Sequence, residues 1–275
     1  MTIGIGFKCS DGLVLATDTQ YTRGSIKTHG PKLFPIVGAP ERSDLAVVVA
    51  GAGHVAFMKR AIEKISVSLA SLSSPSMENV RVLIEDELVA FYRKHIYPHP
   101  KHQDVSFSLL VGAWTVSDGW NLFRTAETAV EPVVSATGYD SIGSGQYVSE
   151  YALDLVFEGG LNVDHAKILA AFCIKAAKDF VDYCGGKTRI FVLTADGAGG
   201  HIKTVSPIEI EHRENYATEL YEIVRDLLQL LDTDGFSDDE VVGALTNIVR
   251  DSIIGFRAKQ REIQQRRASR MKGVT

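Results

Sequence analysis

The sequence has only three cysteines among its 275 residues, Cys9, Cys173 and Cys184. They are too few and too irregularly spaced for a disulfide framework or a structural zinc site, and the eight histidines show no ligand spacing. A net charge of −5 gives no electrostatic case for nucleic acid. No apolar run is long enough to span a membrane, and no leader of charged and then apolar residues opens the chain. These absences predict a soluble, cytoplasmic protein without a metal or cofactor.

The first eighteen residues read MTIGIGFKCSDGLVLATD. Two runs of β-type residues, 2–7 and 13–17, flank Asp11-Gly12, and this dipeptide between apolar runs is a strong hairpin signal. Removal of Met1 would leave the hydroxyl and a free α-amino group on Thr2. Because an α-amino group titrates near a pKa of ~8 and can take the hydroxyl proton, this one residue could supply both nucleophile and base. The alternative is that Thr2 is an ordinary β-branched residue at the start of a strand.

Apolar periodicity along the rest of the chain predicts alternating blocks of strands and helices. Strands are expected at 32–37, 45–50, 106–114, 120–125, 133–138, 188–194 and 201–205. Helices are expected at 54–72, 77–96, 145–157, 162–181, 215–231 and 237–268. This order indicates a layered α+β sandwich over residues 1–207. Residues 208–275 would form a helical extension, whose basic run from Arg257 to Lys272 is interpreted as a solvated helix face.

This order of elements and several local motifs resemble the proteasome-type peptidase subunits of the N-terminal-nucleophile hydrolase superfamily. The likeness is to proteasome β subunits and the bacterial HslV peptidase, and it covers residues 2–206. It implies a four-layer αββα sandwich. It also implies a threonine endopeptidase that works without a cofactor.

The resemblance implies a catalytic group drawn from three separate motifs. Thr2 falls on the nucleophilic threonine of the family, because it precedes Asp11-Gly12 by the same interval. Asp18 falls on the acid that orients the catalytic lysine, and Lys32 in Pro31-Lys32-Leu33-Phe34 falls on that lysine. Its ammonium would lower the pKa of the nucleophile. The loop between Asp18 and Lys32 is two residues shorter than usual, which leaves Lys27 as the alternative.

The resemblance also assigns the residues around the reacting carbonyl. Gly51 matches the glycine whose backbone N–H serves as the oxyanion hole. Tyr21 and Gly53 would lie beside the pocket for the residue that precedes the cut, and Thr22 would bind the substrate backbone. Ser144 falls on the serine that hydrogen-bonds the N-terminal amine, although without the resemblance it is better interpreted as a helix N-cap.

The weakest match lies at the end of the fourth helix. The family places an aspartate four residues before a double glycine, with a serine just before those glycines. Here Asp182 is one place too close to Gly185-Gly186, Asp179 is two places too far, and Cys184 replaces the serine. Either a small shift of the helix end brings Asp182 into position, or this part of the proton network is altered.

The sequence thus predicts a threonine-type peptidase subunit that cuts peptide bonds in unfolded proteins or peptides. Two alternatives are a small-amide hydrolase of the same superfamily and a non-catalytic, proteasome-like ring or scaffold protein. The resemblance implies a homo-oligomeric ring, open to stacking, with a hexameric ATPase of the AAA+ unfoldase class as a candidate partner. Nucleic acid and membranes are not expected as partners. The two C-terminal helices are expected to cover the outside of the ring or to seal a subunit interface.

Overall fold

A computed structural model of the chain describes residues 2–38, 40–100, 104–134, 138–156 and 159–231, with isolated positions between 242 and 258. By its contacts the chain divides into two compact units, residues 1–210 and 211–275. No helix among the described residues is long and apolar enough to cross a membrane.

Two five-stranded antiparallel sheets form the centre of the first unit. The first sheet consists of β1 (Gly4–Cys9), β2 (Gly12–Thr17), β10 (Tyr139–Ile142), β11 (Arg189–Asp196) and β12 (Gly199–Thr204). Its strand order is β10-β1-β2-β11-β12. The second sheet consists of β5 (Leu33–Val37), β6 (Leu45–Gly53), β7 (Phe107–Thr115), β8 (Gly119–Ala126) and β9 (Ala129–Pro132), in that spatial order. A separate hairpin pairs β3 (Gln20–Arg23) with β4 (Ile26–His29).

Helices cover the outer face of each sheet. They are α1 (Val55–Ala70), α2 (Met77–Phe91), α3 (Gln146–Val156) and α4 (Val163–Phe180), and a π-helical turn at Tyr92–Ile96 extends α2. The strand β6 shows how the layers form, because its side chains alternate between the two faces of the sheet. Leu45, Val47 and Val49 pack in the cluster under α1 and α2. Their neighbours Ala46 and Val48 pack in the cluster between the sheets.

A third apolar cluster joins the first sheet to α3 and α4, and it includes Cys9 and Cys173. Three apolar layers between four layers of secondary structure confirm the predicted αββα sandwich. The N-terminal hairpin is also as predicted, since Cys9 pairs with Gly12 across a two-residue turn. The Asp11 carboxylate at this turn accepts a hydrogen bond of 2.8 Å from the N–H of Val163. The hairpin thereby caps the start of α4.

Two strand predictions are corrected. The strand expected at 133–138 is absent from its described positions, 133, 134 and 138, and two short strands, β9 and β10, flank the segment instead. Six strands rather than four precede the first helix, because the loop expected between Asp18 and Lys32 contains the β3–β4 hairpin. The signal for this hairpin is the two-residue turn at Gly24-Ser25, where Gly24 has a φ of +59°. Glycine adopts this left-handed conformation without steric cost.

The C-terminal prediction also changes. Helix α5 extends over Pro207–Leu231, so it begins eight residues before the predicted start at 215. Proline favours the first turn of a helix, where its missing N–H has no partner to lose. Ser206 supports this start, since its hydroxyl accepts a hydrogen bond of 3.2 Å from the N–H of Glu209. The helix expected at 237–268 and the basic run at 257–272 lie outside the described residues, apart from isolated helical positions.

The guanidinium of Arg42 closes the C-terminal end of α1. It donates hydrogen bonds to the carbonyls of Leu69 at 2.9 Å and Ala70 at 3.3 Å, and also to that of Leu72. Asp44 holds the guanidinium through a contact of 2.7 Å. The last carbonyls of a helix have no partners within the helix. Arg42 therefore satisfies acceptors that would otherwise depend on water.

We expect Arg42→Met to lower the free energy of unfolding by about 2 kcal/mol, because it removes several charge-assisted hydrogen bonds at once. The measurement is urea unfolding at a fixed protein concentration. Arg81→Met is the matched control, since Arg81 makes exposed ion pairs with Glu78 and Glu85. Its effect should stay below about 0.5 kcal/mol. Equal losses in the two variants would contradict the capping role of Arg42.

Candidate active site

Three strand ends bring Thr2, Asp18 and Lys32 together. Thr2 lies two residues before β1 and Asp18 directly follows β2. The antiparallel register pairs Gly4 with Thr17, so the two residues meet at the same edge of the first sheet. Lys32 directly precedes β5 at the start of the second sheet. The site therefore lies where the two sheets approach each other, and both sheets must be in place to assemble it.

The three side chains form one buried hydrogen-bonded group. The hydroxyl of Thr2 donates to Oδ1 of Asp18 and accepts from Nζ of Lys32. The Lys32 ammonium also lies 2.7 Å from the same carboxylate oxygen. Thr2, Asp18 and Lys32 are at most 1% exposed. Charged groups at this depth must be paired, so the lysine and aspartate stabilise each other and together orient the threonine hydroxyl.

Backbone N–H groups hold the Asp18 carboxylate on its other sides. Oδ1 accepts from the N–H of Ile3 at 3.2 Å, while Oδ2 accepts from those of Gln20 at 3.2 Å and Gly185 at 3.0 Å. Rigid backbone donors fix both oxygens of the carboxylate. Asp18 therefore has the geometry of an orienting group for Lys32 and Thr2.

Burial lowers the pKa of Lys32, because the charged ammonium loses its hydration. The negative charge of Asp18 and its hydrogen bond oppose this effect without cancelling it. The shift increases the fraction of neutral amine near neutral pH. A neutral amine in contact with the Thr2 hydroxyl can accept its proton, which an ammonium cannot do. Lys27 is not part of this group, since it is exposed on β4 opposite Thr22.

The loop before α3 holds the backbone of Thr2. The carbonyl of Thr2 accepts hydrogen bonds from the hydroxyl of Ser144 at 3.2 Å and the N–H of Gly145 at 3.1 Å. Gly143 has a φ of +94°, and a Cβ there would lie 2.3 Å from the same carbonyl oxygen. A side chain at this position would collide with the backbone of Thr2. Ser144 thus contacts the carbonyl of Thr2, whereas the resemblance gave it the N-terminal amine as its partner. Met1 lies outside the described residues.

The predicted oxyanion donor, Gly51, is already engaged in the sheet. Its N–H donates a hydrogen bond of 2.9 Å to the carbonyl of Lys32, and the residue is buried. This N–H is therefore not directed at a substrate. N–H groups two residues apart on a strand point to the same edge, so the N–H of Gly53 also points to the β5 side of β6. It lies past the position at which β5 begins. Gly53 is exposed and has a φ of +109°.

Tyr21 and Thr22 lie on β3 beside this group. The hydroxyl of Tyr21 donates to the carbonyl of Pro31, and the Lys32 ammonium lies 5.0 Å from the centre of the tyrosine ring. Burial, and to a smaller degree the charge of Asp18, raises the pKa of Tyr21 to about 12. The phenol is therefore neutral near neutral pH. The Nε2 of Gln20 donates a hydrogen bond of 3.4 Å to the hydroxyl of Thr22.

A family model described as "Proteasome subunit" matches residues 2–193. The chain belongs to the proteasome subunit family. It is similar to the proteasome subunit beta of Methanococcus aeolicus, with 24% identity over 216 residues that cover 78% of this chain and 92% of that protein. The corresponding subunit of Methanosphaera stadtmanae is 25% identical over 198 residues, which cover 71% of this chain and 88% of the relative. At the level of the family, these relatives support a hydrolase.

Solved structures of Anbu proteins share the fold of this proteasome family member. The Anbu Gly-1 mutant from Hyphomicrobium sp. strain MC1 aligns with a TM-score of 0.71 and 16% identity, covering 86% of this chain and all of that one. A structure titled as the helical assembly of the Anbu complex from Pseudomonas aeruginosa gives a TM-score of 0.67 and 14% identity, covering 86% of this chain and 99% of that one. At these identities the likeness concerns the fold alone.

At the end of α4, this proteasome family member departs from the pattern that the resemblance gives. The side chain of Asp182 is exposed, and the described contact of the residue is made by its backbone carbonyl, which accepts from Gln20 Nε2 at 3.2 Å. Helix α4 ends at Phe180, so no extra turn brings the Asp182 carboxylate inward. Cys184 lies close to the site instead, with its sulfur 3.9 Å from the hydroxyl of Ser144.

Sequence reasoning missed the backbone donors of the site, among them Gln20 and Gly185. Both donate a backbone N–H to Asp18. Backbone donors leave no trace in residue type, although a Cβ on Gly185 would lie 2.5 Å from the side-chain oxygen of Gln20. The glycine at position 185 is therefore the one sequence signal that these residues offer, because a larger residue would not fit there. Among the described residues, no group of histidine, cysteine, aspartate or glutamate side chains has the geometry to hold a metal ion.

We expect the Cys184 thiol to resist alkylation in the folded protein. Burial, followed by the charge of Asp18, raises its pKa to about 11, and only the thiolate is nucleophilic. Iodoacetamide near neutral pH should modify Cys184 about a hundredfold more slowly than it modifies an exposed cysteine. Peptide mapping over time gives this rate, and the urea-unfolded protein is the control. Labelling at the rate of the unfolded chain would contradict the predicted environment.

Proposed function

We propose that this chain is a threonine-type peptidase subunit, in which removal of Met1 exposes Thr2 as an N-terminal nucleophile. The contact of the Thr2 hydroxyl with both Lys32 and Asp18 carries the proposal. An ordinary threonine at a strand end has no need of a buried ion pair, and such a pair is costly to bury. Membership of the proteasome subunit family supports the same reaction class.

In the proposed reaction, the hydroxyl oxygen of Thr2 attacks the peptide carbonyl carbon and forms a tetrahedral oxyanion. The hydroxyl proton moves to the α-amino group of Thr2 or to the neutral amine of Lys32. The carbon–nitrogen bond then breaks, and the leaving amine takes that proton. An ester to Thr2 remains. Water, deprotonated by the same amine, hydrolyses the ester and restores the hydroxyl.

We assign the oxyanion contact to the backbone N–H of Gly53. Gly51 is excluded by its hydrogen bond to the carbonyl of Lys32. Gly53 lies two residues further on the same strand edge and is exposed. A Cβ at this position would lie 2.5 Å from the carbonyl oxygen of Ser106, so only glycine fits. A backbone donor fixed in this way can stabilise developing negative charge without reorganisation.

The experiment that tests the proposal is intact-mass measurement of the purified protein with and without a threonine-directed β-lactone. Loss of Met1 and a single adduct that maps to Thr2 are expected. The matched control is Thr204→Ala, because Thr204 is an exposed threonine at the end of β12 and has no role in the proposed site. This variant should still form the adduct. A retained Met1, or an adduct at another residue, would contradict the proposal.

The lowered pKa of Lys32 predicts how hydrolysis depends on pH. The rate should rise between about pH 6 and pH 9, because the α-amino group, whose ordinary pKa is about 8, must lose a proton before it can act as base. A pKa of Lys32 below its ordinary value favours the neutral amine as pH rises. The folded-state pKa of Lys32 lies below its ordinary value of about 10.4, so the folded chain binds fewer protons than the unfolded one. Lys32 therefore adds stability as pH rises toward its ordinary pKa. Initial rates, with circular dichroism as the control for folding, check the prediction; a rate that falls over the range contradicts it.

We further propose that the subunit works in a cytoplasmic homo-oligomer, in which a ring encloses the sites and confines cleavage to unfolded proteins or peptides. An AAA+ unfoldase is the partner that such a chamber needs. One structural neighbour is described by its title as a helical assembly, so native mass spectrometry and electron microscopy should distinguish closed rings from open helices. A single-chain mass at micromolar concentration would overturn this part of the proposal.

The second candidate is a non-catalytic, proteasome-like ring protein. It is favoured by the exposed Asp182 and by Cys184 in the place that the resemblance gives to a serine. If Thr2 forms no lactone adduct after Met1 is removed, this candidate takes precedence.

A further inference from the structure

A second lysine contacts the tyrosine ring that lies beside Lys32. Lys59 is the fifth residue of α1. Its ammonium lies 5.4 Å from the centre of the Tyr21 ring. The ammonium of Lys32 lies 5.0 Å from the centre of the same ring. One tyrosine side chain thus contacts both the lysine that touches Thr2 and a lysine that no part of the proposed reaction uses.

The Tyr21 ring has little freedom to move away from these two lysines. Its hydroxyl donates to the carbonyl of Pro31. Its Cε2 atom packs so closely on Gly30 that a Cβ there would lie 2.8 Å from it. Because the phenol is neutral and its proton is already donated, Tyr21 supplies an apolar surface and no charge. The charge on this side of the site must come from a lysine.

The two lysines differ in how their charge is balanced. Lys32 is buried and lies 2.7 Å from the Asp18 carboxylate. Lys59 is exposed, and in the described part of the chain no carboxylate lies within 4 Å of its ammonium. Glu63, one turn further along α1, is not paired with it, whereas Lys175 pairs with Asp179 at the same spacing on α4. Lys59 therefore presents an unbalanced positive charge beside the site.

We infer that Lys59 selects substrates with an acidic side chain at the residue preceding the cut. The inference rests on the proposed function. The Lys32 ammonium contacts both the Thr2 hydroxyl and the Tyr21 ring, so a peptide whose carbonyl carbon is held at Thr2 would have this ring within reach of the side chain next to that carbonyl. A glutamate can lay its methylene groups on the ring and place its carboxylate near the Lys59 ammonium. The attraction is strongest where the ring and peptide exclude water.

The test uses fluorogenic peptides that are identical except for Glu, Gln or Leu before the cut. Glu and Gln have the same shape, so their ratio of kcat/KM isolates the charge. We expect the Glu peptide to be preferred over the Gln peptide by about tenfold in the native protein. The preference should disappear in Lys59→Met. In Lys59→Glu it should invert, so that the Gln peptide becomes a better substrate than the Glu peptide.

Lys64→Met is the matched control, since Lys64 is exposed on the same helix and its loss changes the net charge equally. This variant should keep the tenfold preference. The same peptides ending in an electrophile, followed by intact mass, measure labelling of Thr2 without requiring turnover. Labelling and hydrolysis with equal Glu-to-Gln ratios in native protein and Lys59→Met would overturn the role of Lys59 alone. Absence of both reactions with all peptides would overturn the peptidase proposal, and this inference with it.

Discussion

Replacement of Thr2 by alanine is expected to abolish peptide hydrolysis and lactone labelling together. The loss in kcat/KM should be at least about a thousandfold, because the variant removes the hydroxyl that would form the ester intermediate. Folding should be little affected. Alanine fills most of the same space, and Asp18 keeps its ammonium partner and its three backbone donors. Initial rates on a fluorogenic peptide, with a thermal melt of each variant, check both expectations.

Thr2→Ser is the matched control for this experiment. Serine keeps the hydroxyl and the α-amino group on one residue, so hydrolysis should be retained within about one order of magnitude. A variant with full activity despite Thr2→Ala would show that another nucleophile acts. Cys184 is the nearest alternative by distance, since its sulfur lies 3.9 Å from Ser144, but its raised pKa makes it a poor nucleophile. Cys184→Ser in the Thr2→Ala background would test that alternative directly.

The layers of the fold could be predicted from sequence because their signals are local. The Asp11-Gly12 signal and the flanking apolar runs predict the first hairpin, whose turn is Ser10-Asp11, and its register places Thr2 beside Asp18. Continuous apolar runs are typical of strands covered on both faces, and β6 is such a strand. The β3–β4 hairpin was not predicted, because its strands are only four residues long and all of β4 is exposed. An exposed strand has no apolar alternation to reveal it.

Gly53, which we propose as the oxyanion donor, could not be chosen over Gly51 from sequence alone. Gly51 and Gly53 are two residues apart on one strand, so their N–H groups point to the same edge and only the partner strand distinguishes them. That partner is set by where β5 begins, and Lys32 occupies the position opposite Gly51. The exposure of Asp182 has a similar origin, because it depends on α4 ending at Phe180. Lys59 is unremarkable in the sequence, since its contact with Tyr21 joins a helix to a hairpin.

Replacement of Lys32 by methionine is expected to lower both activity and stability. Methionine preserves the length and much of the volume of the side chain but removes the ammonium. The Asp18 carboxylate, which is 0% exposed, then keeps its backbone donors and loses its only countercharge among the described ion pairs. We expect a loss of about 3 kcal/mol in the free energy of unfolding. Hydrolysis should fall by about a thousandfold, since Thr2 loses the group that accepts or polarises its proton.

A double-variant cycle separates the two effects. Asp18→Asn alone should also destabilise the fold, because it leaves the Lys32 ammonium buried without a carboxylate. Asp18→Asn combined with Lys32→Met removes both charges, so its stability should lie closer to the native value than the sum of the single losses predicts. Hydrolysis should remain lost in all three variants. Stability losses that simply add would show that the two side chains do not interact in solution. Recovered hydrolysis in the double variant would show that Thr2 is activated by its α-amino group alone, with the buried pair serving only to hold the strand ends together.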